Sequence, residues 1–147
     1  MSASRISALW RNATSAELVA GLSWYSEAKG EALLLAARHD QELHVAAGVI
    51  AALSPGCSWV TNLRDADTVL GASRFGAAAY QQTKVSTYGQ NKVKAWTIAE
   101  SGKVFPALRG AKVEAFFRNI MGDFEAVTVD SHIVNAFQGH KDTVDHG

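Results

Sequence analysis

Apolar residues along the 147-residue chain recur at intervals of three and four rather than two, the spacing that gathers side chains on one face of an α-helix. In "TSAELVAGLSWYSEAKGEALLLAARH" this predicts one long or broken helix, with Thr14 or Ser15 as N-cap and Gly21 and Gly30 as weak points. "DQELHVAAGVIAALS" predicts a second, capped by Asp40 and closed by Ser54, Pro55 and Gly56, since proline disfavours the helical state in the residue before it. "SWVTNLRDADTVLGA" predicts a third, in which Trp59, Leu63 and Ala66 share a face. A less regular piece covers 73–86, and "YGQNKVKAWTIAES" forms a helix ending near Gly102. "KVFPALRGAKVEAFFRNIMG" reads as two short helical pieces around Gly110, followed by the loop "DFEAVTV" and a helix from Ser131. The expectation is a single all-α domain over 1–147, without repeats or linkers.

A hydrophobic content of 48% is enough for one core, and no apolar run approaches the roughly 18 residues of a membrane span. The opening "MSASRISALWRNATS" lacks the apolar stretch of a signal peptide, so a soluble, cytoplasmic protein with no membrane partner is expected. Cys57 is the single cysteine, which excludes an internal disulfide, a Cys-ligated iron–sulfur cluster and a Cys-rich zinc site within one chain. No cofactor or metal is expected. Formal net charge is zero, but 84–118 holds seven basic residues against two acids, a local net of +5 that leaves −5 for the rest. Such a block marks either a phosphate-facing side or a solvated face.

Asp130 stands in "AVTVDSHIVNAF", where apolar alternation gives way to a helical pattern, and as a helix N-cap it would accept free backbone N–H groups. Lys112 opens the preceding helical stretch, whose roughly ten residues rise about 15 Å. The segment 123–129 spans at most about 23 Å when extended, so the chain can return to where that helix began. The sequence thus permits two adjacent helix starts, one with an amine and the other with a carboxylate.

Three blocks resemble the helix-hairpin-helix DNA glycosylases, especially their endonuclease III-like branch. "LRGAKVEAFFRNI" is similar to the second half of the glycosylase hairpin, here about 103–121, with Gly110 at a hairpin glycine and Lys112 at the nucleophilic lysine of bifunctional members. "VTVDSH" resembles the segment that carries the essential aspartate, placing Asp130 there, 18 residues after Lys112. "AALSPGCSWVTNLRDA" and "YGQNKVKAWTI" resemble the helices about the base pocket, and the blocks together run from Ala46 to Phe137 in family order. Differences from the pattern are Leu108 in place of a second turn glycine, Gly56 in place of a DNA-probing glutamine, and no iron–sulfur module. Only 17 residues follow Asp130 where the family continues for several helices; a minimal form, a shortened chain, or a partner or oligomer completing that side are the alternatives.

The resemblance implies a compact glycosylase-like fold acting on DNA in a bacterial or phage-infected cell. Lys112 would attack C1′ of the sugar, and Asp130 would stabilise the developing positive charge and help deprotonate the nucleophile. Gly110, Arg109, Lys103 and Lys92 would contact DNA, and Ser54, Gly56, Trp59, Tyr88, Asn91 and His132 would surround the extruded base. Asp130 and His132 form one Asp-x-His pair, too weak a signal by itself to assign a metal site. Trp59, Trp96, Phe116 and Phe117 have the spacing of core residues as well as the chemistry to stack on bases. Two other functions suit the same residues: a base-hypermodifying transferase on the glycosylase fold, and a catalytically inactive DNA- or protein-binding module.

Overall fold

The computed structural model describes residues 15–123, with side chains from residue 23 onward. Within them lie six α-helices: α1 Ser15–Arg38, α2 Leu43–Leu53, α3 Trp59–Ala72, α4 Ala77–Gln82, α5 Gly89–Ser101 and α6 Ala111–Ile120, with a 3-10 turn Ser73–Phe75 before α4. There is no strand among the described residues, so the fold is all-α.

Helix α2 is apolar on every side, from Val45 to Leu53, and a helix of that kind is stable only when neighbours cover its whole circumference. α1, α3, α5 and α6 do so. Its small residues let them approach closely. A Cβ on Gly48 would meet Val104 Cγ2 at 2.9 Å and Ile98 Cγ2 at 3.3 Å, so the segment after α5 and α5 itself rest directly on the α2 backbone. Around this axis Ile50, Leu53, Leu70, Ile98, Leu108 and Ile120 are fully buried. α1 contributes one stripe, Tyr25, Ala28, Ala32, Leu35 and Ala36, and runs unbroken through Gly21 and Gly30. That buried stripe outweighs the roughly 1 kcal/mol helix penalty of a glycine.

Local signals set most helix ends. Ser58 Oγ accepts from Thr61 N at 3.2 Å and caps α3, and Ser54 donates to Ala51 O at 2.8 Å beside Pro55 to close α2. α5 ends where Gly102 takes the left-handed conformation, φ 74° and ψ 7°. Asp40 is a correction to the expected cap of α2: the N-cap is Glu42, without a side-chain bond, and Asp40 holds the turn before it at φ 55°. Asp is among the few non-glycine residues that tolerate this region. A second correction concerns 103–110, which is a turn rather than a helical piece, with a cis Phe105–Pro106 peptide. Val104 and Leu108 are both buried at a four-residue interval and share one Leu108 N to Val104 O bond of 2.9 Å, so a single turn carries the apolar spacing of a helix.

Candidate functional site

The N-cap of helix α6 is Gly110, whose φ of 116° and ψ of 134° are open to glycine and strained for other residues. The first intrahelical bond runs from Glu114 N to Gly110 O at 3.0 Å, so the amides of Ala111, Lys112 and Val113 point out of the helix start. The Gly110 amide itself donates to Glu114 Oε2 at 3.2 Å. This carboxylate therefore takes the amide that an approaching phosphate could have used. Lys112, at the second position of α6, is exposed. Asp130 and His132 lie outside the described residues.

Between α5 and the 103–109 turn that leads into this helix lies an open groove of about 410 Å³, lined by Val93, Lys94, Thr97, Lys103, Phe105 and Arg109 among others. Three cations and no acid line it. Arg109 Nε donates to Pro106 O at 3.1 Å, which fixes the guanidinium at the rim, and Lys103 N donates to Ser101 Oγ at 3.0 Å in a short turn. Phe105 is 44% exposed and meets Phe117 edge to face, with centroids 5.7 Å apart. Lys94 and Phe105 were not among the residues selected by sequence. The signal for Lys94 is its place in the series 93, 94, 97 and 101 along one side of α5.

Lys92 is engaged elsewhere. Its ammonium donates to Tyr80 O at 2.7 Å and lies 4.0 Å from the centroid of the Tyr80 ring, tying α4 to α5. Lys103 and Arg109, by contrast, are both exposed on the groove.

Of the expected base-pocket residues, Ser54, Gly56 and Tyr88 lie on two loops that the structure joins, and Asn91 lies in the first turn of α5. Thr87 Oγ1 donates to Pro55 O at 2.8 Å and accepts from Asn91 Nδ2 at 2.9 Å, bringing the Ser54–Gly56 corner to the start of α5. Ser86 N donates to Asp65 Oδ2 at 2.8 Å alongside. Asn91 is buried and Tyr88 exposed. Trp59 is half-buried in an aromatic cluster, 5.3 Å from Trp24 and 6.3 Å from Phe116 between ring centroids, where it joins α1, α3 and α6. Asn62, one turn before Asp65, is 2% exposed, and its Oδ1 has no hydrogen-bond partner. Asn62 and Asp65 were legible as polar positions on the apolar face of α3 that carries Ala66 and Val69. Burial pushes the Cys57 thiol up, and the Asp65 carboxylate adds to the shift, so Cys57 stays a protonated, weak nucleophile.

No helix among the described residues is long and apolar enough to cross a membrane. Neither the curated proteins nor the solved structures contain a match to the chain. A family model matches residues 1–146, nearly the whole chain, and the protein therefore belongs to that family, the Family of unknown function (DUF7178).

Proposed function

We propose that the protein binds DNA through the junction of α5 and α6 and acts there as a glycosylase-type enzyme of the helix-hairpin-helix kind. The observation that carries this reading is the groove with Lys94, Lys103 and Arg109 and no acid, in a chain of zero net charge, directly before the helix that presents Lys112. Oriented cations of this kind neutralise phosphates, and outward amides in the first turn of α6 add dipole to the same end.

In the chemistry, the unprotonated Lys112 amine attacks C1′ as the C1′–N bond to the base breaks. The base leaves with the bonding pair and takes up a proton, and ring opening of the sugar gives a Schiff base. Asp130 holds the positive charge that develops at the sugar. The exposure of Lys112 favours a second reading, because a nucleophilic lysine ordinarily gains its neutral form by burial. In that reading the junction binds DNA without breaking the glycosidic bond, as a binding module or a base-modifying transferase.

Borohydride trapping on DNA with abasic sites and a panel of damaged bases decides between them. Wild-type protein is expected to become covalently attached, and Lys112→Gln to bind without being trapped. Trapping that survives in Lys112→Gln overturns the assignment of the nucleophile. Binding with neither trapping nor base release supports the second reading.

A further inference from the structure

We infer that the groove between α5 and the 103–109 turn seats an unpaired nucleotide of a single DNA strand, with its base against Phe105 and its flanking phosphates on Lys103 and Arg109. The proposal rests on the DNA-binding reading above and specifies what the groove takes. A surface that only tracks a duplex backbone needs cations; this one also has an apolar floor. Val93 is 52% exposed and Phe105 44%, beside Pro106 and Ala107, in the same depression as the three cations.

An exposed aromatic ring costs solvation unless something covers it, and Phe105 is held edge to face by Phe117 rather than left to swing. A ring fixed among cations offers what one nucleotide needs: a π-face or edge for the base and positive charge within a side chain's reach for the phosphates. The volume of about 410 Å³ falls near the small end of ligand sites, which run from about 300 to 1,000 Å³, and suits a single nucleotide better than a folded partner. A paired base keeps its faces covered by its neighbours, so a duplex cannot fill the apolar floor.

The test compares a labelled thymidine 12-mer with an abasic strand of the same length and phosphate count. Wild-type protein is expected to bind the thymidine strand about tenfold more tightly, and Phe105→Leu to remove that preference while leaving duplex affinity within about twofold. Val93→Glu puts a carboxylate on the floor from an exposed position and is expected to weaken the thymidine strand further. Circular dichroism establishes that both variants remain folded. Equal affinity of the wild type for the two strands, or an unchanged preference in both variants, overturns the inference. If duplex affinity persists with its salt dependence in that case, the DNA-binding reading stands; loss of all binding, to single strand and duplex alike, overturns both.

Discussion

At the scale of single residues, Gly110 shows how a backbone requirement and a functional position coincide. Its φ of 116° turns the chain out of the groove and into α6, and a Cβ there would meet only Val113 Cγ2, at an ordinary 3.6 Å. The cost of Gly110→Ala is therefore conformational rather than steric. We expect a loss of about 1–3 kcal/mol in urea unfolding, the usual penalty for a side chain in such a region. A change below about 0.5 kcal/mol would mean that the turn relaxes freely, and with it the placement of Lys112. Glu114 bears on the same position, since its carboxylate already accepts the Gly110 amide and brings negative charge to the helix start.

At the scale of elements, α1 and α3 are clasped by charge at their solvent edge. Arg38 donates to Asp67 Oδ2 at 3.0 Å and His39 Nε2 donates to Asp67 Oδ1 at 2.6 Å. Burial alone would raise the Asp67 carboxyl, but the bonds from His39 and Arg38 and the Arg38 charge hold it below its ordinary value of 3.8. A carboxyl lowered in the folded state stabilises fully above its unfolded value and loses that contribution as pH falls through the folded one. The stability gap between wild type and Asp67→Asn should thus be steady near pH 5 and shrink below about pH 4. A gap that stays constant to about pH 2.5 would show that the clasp contributes no proton-linked stability.

The elements also show where the sequence was readable. Ser58, Pro55 and Gly102 acted through chemistry confined to one helical turn, so the ends of α2, α3 and α5 could be placed from the residues alone. Asp40 misled because an acid two residues before the N-cap, Glu42, has the same composition as a cap, whereas its conformation depends on how α1 turns into α2. Residues 103–110 misled because Val104, which packs on Gly48 of α2, and Leu108 are both buried at helical spacing, a tertiary burial that the spacing cannot distinguish from a helix. Lys103, Arg109 and Gly110 were legible as candidates because charge and glycine are visible in sequence. Phe105 was not, since an apolar residue reads as core until its exposure is known. The resemblance that named Lys112 gave no sign of its exposure.

At the scale of the whole molecule, one buried helix is enclosed by its neighbours, and three cations of a neutral chain, Lys94, Lys103 and Arg109, line the side that carries the groove. The central claim is that this side neutralises DNA phosphates, and the most direct measurement is duplex affinity as a function of salt. Engagement of Lys94, Lys103, Arg109 and Lys112 predicts a slope of log affinity against log salt of about −3 to −4. Lys103→Ala and Arg109→Ala should each flatten it by about one unit, while Lys92→Ala, whose ammonium is held on Tyr80, should leave it unchanged. An affinity independent of salt, slopes unaltered by Lys103→Ala and Arg109→Ala, or no binding at low ionic strength would contradict the account.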